Sequence, residues 1–192
     1  MAAPAQGDET ALGRALGFAP EEVDLLGEIF VEVLGKSGIE AGPIFEKLKR
    51  GASLGEAIAV PAGVPRLLYA RAHQWFAGGR PDRAESLFRT LCLIEGGKPD
   101  NWVGWGICLR IADRLDQAAL AFATAASLAP QWPIPPVHQA ELAIRRGDWN
   151  GARLALDRLD ALGEDRLPGE LKVEVARFRS ALALRTERNA RG

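Results

Sequence analysis

The chain has 192 residues, 26% of them charged and 47% apolar, proportions of a folded globular protein that exclude wholesale disorder. Twenty-four basic against twenty-five acidic residues leave a net charge of −1, which argues against bulk nucleic-acid binding. No run of eighteen uncharged apolar residues is available to span a membrane, so neither nucleic acid nor membrane is an expected partner.

In chain order, residues 1–19 read as disordered, and the start MAAPAQGDETALGRAL lacks the cationic and apolar regions of a signal peptide. Residues 20–64 form an N-terminal helical region carrying a net charge of −5. Its first helix spans 20–34 (PEEVDLLGEIFVEVL), with Val23, Leu26, Ile29, Phe30 and Val33 on one face, Pro20 at the start and Gly35 and Gly38 past the end. A short helix over 43–50 stops at Gly51. Ser53 and Glu56 then stand at capping-box spacing before a brief segment over 54–60.

From Pro65 the sequence repeats. Cuts at Pro65, Pro99 and Pro133 give three segments of thirty-four residues, 65–98, 99–132 and 133–166. Position eight is always small (Ala72, Gly106, Ala140), and so is position twenty (Ala84, Ala118, Ala152). Position twenty-four is always large and apolar (Phe88, Phe122, Leu156). Position twenty-seven holds Leu91, Ala125 and Leu159, and position eleven holds Trp75, Leu109 and Ala143. Each segment carries two runs of helical periodicity around a break rich in Gly, Pro or Asp, at 78–82, 112–114 and 146–148. Small residues let the paired helices approach, and the large one fills the space beside them. This is the thirty-four-residue tetratricopeptide pattern, an all-α array of three helical hairpins around a concave face. Proline at 133, 135 and 136 predicts that the third hairpin begins late, near Pro136. Residues 167–192 hold a capping helix over 170–186 and a tail, whose Arg177, Arg179, Arg185, Arg188 and Arg191 read as a solvated face.

Catalysis and metal binding find no support. His73 and His138 fall in different repeats, and no HExxH or CxxC occurs; Gly96-Gly97-Lys98 is too short for a phosphate loop. Cys92 and Cys108 sit among apolar neighbours and read as buried hydrophobes, without a disulfide framework, which suits a reducing cytoplasm. No cofactor is expected, and the protein does not read as an enzyme. The concave face is the candidate site, lined by the first helix of each hairpin at positions two, five, nine and twelve. It gathers Arg66, Tyr69, His73 and Phe76, then Val103, Ile107 and Arg110, then Val137, Glu141 and Ile144. Apolar side chains with a few polar anchors fit a peptide groove. The alternative is that the N-terminal helix folds back over it.

Certain strings are not general tetratricopeptide features: Phe88-Arg89-Thr90-Leu91-Cys92, Gly104-Trp105-Gly106 and Pro136-Val137-His138-Gln139-Ala140-Glu141. With Leu68-Tyr69-Ala70-Arg71-Ala72 they make the stretch from Val60 to about Leu162 resemble the class II chaperones of bacterial type III secretion, the LcrH/SycD-like translocator chaperones. The resemblance implies a bacterial cytoplasmic chaperone that holds membrane-inserting translocator proteins soluble and export-competent. Its client would lie as an extended segment in the groove, on aromatic residues where this chain has Tyr69, His73 and Phe76, the histidine departing from the family's usual large aromatic. The resemblance also implies a homodimer through residues 20–60. The other reading is a general tetratricopeptide scaffold within a larger assembly.

Overall fold

The computed structural model describes the backbone of residues 10–191 and, apart from Glu164 and 187–191, their side chains. Among these residues all regular structure is helical. The described residues separate into two compact units, one up to Arg66 together with Leu93–Glu95, the other Leu67–Cys92 with the chain from Gly96 onward.

The first unit contains α1 (Ala11–Leu16), α2 (Pro20–Gly35), α3 (Ala41–Lys49) and α4 (Leu54–Ala57). The disorder expected over 1–19 falls outside the described residues for 1–9, and over 11–16 it is corrected by a helix. Thr10 caps that helix by accepting the Gly13 N–H at 3.0 Å, and Gly17 ends it at φ +70°, a left-handed stop open to glycine at no steric cost. Further on, Ser53 Oγ accepts the Glu56 N–H at 3.3 Å while Glu56 Oε2 accepts the Ser53 N–H at 2.7 Å, the capping box that the spacing predicts. Phe45 of α3 lies 5.5 Å from Phe30 of α2, ring to ring, in the core of this unit.

The hairpins follow as α5 (Gly63–Ala77) with α6 (Pro81–Ile94), α7 (Pro99–Ile111) with α8 (Leu115–Leu128), and α9 (Ile134–Arg146) with α10 (Trp149–Leu162). Residues at repeat positions eight, twenty, twenty-four and twenty-seven are buried in all three, most of them completely. Gly106 shows why position eight stays small: a Cβ there would stand 2.6 Å from the Phe122 ring. α9 begins at Ile134 rather than near Pro136. Pro135 and Pro136 fall within its first turn, where the N–H groups have no intrahelical acceptor and a proline loses nothing. After a 3-10 turn over Glu164–Arg166, α11 (Gly169–Arg191) packs on α9 and α10. Leu167 and the fully buried Val175 join Val137, Ala140, Leu156 and Leu159 in one apolar cluster.

Substituting Gly106→Ala tests the close approach. Alanine gains about 1 kcal/mol of helix propensity over glycine. Overpacking against a buried ring costs roughly 1–3 kcal/mol, so a net loss is expected in chemical denaturation. Adding Phe122→Leu should make the same alanine better tolerated. A Gly106→Ala chain more stable than the parent would place the ring away from α7.

Candidate functional site

The second unit is built in two layers. Ion pairs and backbone contacts join α7 to α9 in one layer, and the Arg158 guanidinium of α10 donates to the Ala126 carbonyl of α8 at 3.2 Å in the other. On α5, Tyr69 and His73 stand one turn apart with ring centroids at 4.5 Å. Both meet Phe88 of α6 edge-on, at 5.9 and 5.5 Å. Tyr69 is half-buried, and burial together with the charge of Asp100 raises its phenol pKa above the ordinary 10. His73 is exposed and Phe76, one further turn along, is 36% exposed. Tyr69 and His73, tilted to one another and edge-on to Phe88, form an aromatic shelf resting on the α5–α6 core, and Phe76 extends its exposed apolar surface along the helix. Arg66 is exposed near the start of α5.

Arg110 of α7 pairs with Glu141 of α9, both side chains less than a third exposed. Arg145, on the next turn of α9, reaches back to the Arg110 carbonyl at 3.3 Å and to Asp113 at 2.9 Å. His138 lies against Phe122 with the rings nearly parallel, 18° between planes and 5.0 Å between centroids. Burial, then the positive charge of Arg110, push its pKa from the ordinary 6.5 down to about 4. Its Nδ1 is 3.8 Å from Glu141, beyond hydrogen-bonding range, and makes no hydrogen bond. Burial keeps the imidazole neutral at pH 7, so its approach to Glu141, which Arg110 already holds, is no ion pair.

Two residues expected to line the groove are core residues instead. Val103 packs with Leu109, Ala118 and Phe122, and Val137 is completely buried in the cluster that includes Val175 of α11. The reason is tertiary: position five of each first helix turns toward its own hairpin core, and after the third hairpin the chain returns to bury that core. Ile107 is half-buried against the second-repeat core, and Ile144 is half-buried on the last full turn of α9.

No family model matches the chain. It is 29% identical over 85 residues to the chaperone protein SicA of Salmonella dublin, a match covering 44% of this chain and 52% of SicA. The match thus spans about half the length of that relative. Over 141 residues it is 23% identical to the low calcium response locus protein H of Yersinia pestis, covering 73% of this chain and 84% of that one. The structure superposes with a TM-score of 0.62, at 22% identity, on the type III secretion chaperone SycD of Yersinia enterocolitica in complex with a peptide of the translocator YopD. That superposition covers 66% of this chain and 98% of SycD. The chain has the fold of the type III secretion translocator chaperones.

Within this translocator-chaperone fold, sequence reasoning missed His138 as a structural group, although it lies in the Pro-x-His-x-Ala-Glu string. Its helical phase puts it beside Glu141, but only the assembled hairpins bring Phe122 and Arg110 to it. Burial also pushes the Cys92 thiol up to about 12, and burial with the nearby Glu85 charge pushes Cys108 to about 11. Both are un-ionised at neutral pH and are poor nucleophiles.

The buried neutral imidazole makes stability pH-dependent with a definite sign. The unfolded chain protonates His138 near 6.5 and the folded one near 4. Stability from this residue is therefore complete above pH 6.5 and is lost as pH falls toward 4. Between pH 7 and pH 5 urea denaturation should show a loss of roughly 2 kcal/mol from His138, and His138→Gln should flatten the profile by that amount. Equal slopes for the two chains would mean that the imidazole is solvated in the folded state.

Proposed function

We propose that the protein is a cytoplasmic chaperone of type III secretion translocators, without catalytic activity, and that it holds an extended client segment on the layer formed by α5, α7 and α9. The supporting observation is the aromatic shelf of Tyr69, His73 and Phe76, which offers exposed ring surface on a helix otherwise anchored to Phe88. In SycD the same fold is found in complex with a peptide of the translocator YopD. Ile107 and Ile144 add half-buried apolar surface, and the Arg110–Glu141 pair supplies the polar anchor of the same layer. A membrane-inserting client presents apolar segments that aggregate in water, and covering one of them in a groove keeps the chain soluble. Among the described residues no helix is long and apolar enough to cross a membrane, so the apolar surface on offer is a face rather than a span.

The test is co-expression with a hydrophobic translocator, reading the fraction of client left in the supernatant. His73→Glu with Phe76→Glu should abolish solubilisation, because a carboxylate buried against an apolar peptide costs several kcal/mol, about what a micromolar complex can lose. Tyr69 is left intact because it packs on the hairpin core. Ser86→Glu with Arg89→Glu, exposed on α6, is the control and should leave solubilisation nearly intact. Glu85 is unsuitable for that purpose, since it pairs with Arg114 of the next repeat. A client kept soluble by the shelf variant and lost by the control would assign recognition to the other layer and favour a scaffold.

A further inference from the structure

Two helix pairs leave open grooves. One lies between α8 and α10 with α9 as its floor, where Leu154 and, beside the lining residue Ala119, Leu120 are exposed. The guanidiniums bordering it are engaged within the chain, Arg146 by Asp116 at 2.9 Å and Arg158 by the Ala126 carbonyl at 3.2 Å. No charge is left there to select a partner.

The other groove lies within the N-terminal unit, between α2 and α3, with a volume of about 680 Å³. Asp24 meets Lys49 at one end, Gly27 meets Phe45 in the middle, and Val31 and Gly42 line the rest, so the two helices run antiparallel along it. Its two glycines differ. A Cβ at Gly27 would stand 2.5 Å from the Phe45 ring, so the helices could not approach with any larger residue there. A Cβ at Gly42 would meet nothing within 4 Å, and its backbone is not left-handed. Glycine is a poor helix former, and neither packing nor backbone conformation calls for it at that position. What the bare position leaves is open groove beside Val31, itself 42% exposed.

Carboxylates stand on both walls. Asp24, Glu28 and Glu32 form a row along α2, four residues apart, and Glu46 faces them from α3. Lys49 donates to Asp24 at 2.9 Å and only senses the charge of Glu46, while Lys36 holds Glu32 at 2.7 Å. Glu28 and Glu46 are exposed, and no ion pair or hydrogen bond engages either among the described residues. Beyond the acidic row, Leu25, Ile29 and Val33 form an exposed apolar stripe on α2.

We infer that the α2–α3 groove docks a basic amphipathic segment of a partner protein, with a leucine-sized side chain entering beside Gly42 against Val31 and Phe45, and with lysines or arginines reaching Glu28 and Glu46. The apolar lining favours a side chain over water. The two unengaged carboxylates select a cationic segment over an acidic one and repel nucleic acid. The groove shares no residue with the proposed client site, so the two readings stand or fall separately.

Fluorescence anisotropy on the full-length chain provides the test, with two synthetic helical peptides whose leucine stripe is flanked by lysines in one and by glutamates in the other. Circular dichroism verifies that each variant is folded. The lysine peptide should bind the parent more tightly than the glutamate peptide does, and less tightly as salt rises. Gly42→Leu fills the groove without altering any charge and should weaken the lysine peptide by about tenfold or more. Glu28→Lys with Glu46→Lys should weaken it as much and admit the glutamate peptide instead. Glu21→Lys with Glu40→Lys makes the same charge change outside the groove and should leave the affinity within about twofold of the parent. A parent that does not bind the lysine peptide, undiminished binding by the Gly42→Leu chain, or equal losses in the two charge-reversed chains would each overturn the inference. So would a parent that gel filtration shows to be an oligomer and that Gly42→Leu converts to monomer, because the groove would then belong to a second copy of the chain.

Discussion

The hairpins depend on how closely their helices approach. At Gly106 the backbone of α7 lies against the Phe122 ring with no room for a methyl group, and Ala72, Ala118 and Ala140 are wholly inaccessible at equivalent close contacts. A large residue at position twenty-four fills the volume that small ones leave. Packing of this kind gains dispersion contacts over the whole length of a helix, and each added carbon atom is felt. It also fixes the phase of every helix around its axis. Once position eight faces inward on α5, the rings of Tyr69 and His73 must stand where they do, over Phe88.

The same constraint explains the polar cluster between the second and third hairpins. Arg110 leaves α7 toward α9 because its phase directs it there, and Glu141 answers from the facing helix. A half-buried guanidinium without a carboxylate would be costly, and a half-buried carboxylate without a guanidinium equally so. His138 is buried beside an acid already engaged, and burial makes neutrality its least costly state. Stacking on Phe122 gives the neutral ring an apolar partner. The ion pair thus ties α7 to α9, and its guanidinium adds to the burial that keeps the neighbouring imidazole neutral.

Exposed apolar surface is distributed unevenly and meaningfully. The shelf on α5, the stripe on α2 and the paired leucines of α8 and α10 are each organised by helical spacing, unlike single apolar residues scattered over a surface. Opposite layers of the hairpins carry two of these surfaces, so occupation of one leaves the other open. Arg146 and Arg158 border the α8–α10 groove and give that surface a positive rim which the three rings of the aromatic shelf lack.

The thirty-four-residue period was legible in the sequence because hairpin contacts are local: small and large residues recur in one register, and each turn is written in Gly, Pro and Asp. The capping box at Ser53 and the apolar phase of α2 were equally local. The helix over Ala11–Leu16 was missed although its signals, Thr10 and Gly17, are present, since six residues give too short a run for periodicity to register. Tertiary structure alone decided the rest. Val103 and Val137 share position five with Tyr69, yet the first is nearly inaccessible and the second completely so, whereas Tyr69 keeps part of its ring at the surface. Val137 shares its buried cluster with Val175 of α11, thirty-eight residues later in the chain. Burial from that distance leaves no trace in the periodicity of α9. Periodicity reports which way a side chain points from its own helix; what covers it there depends on segments remote in sequence.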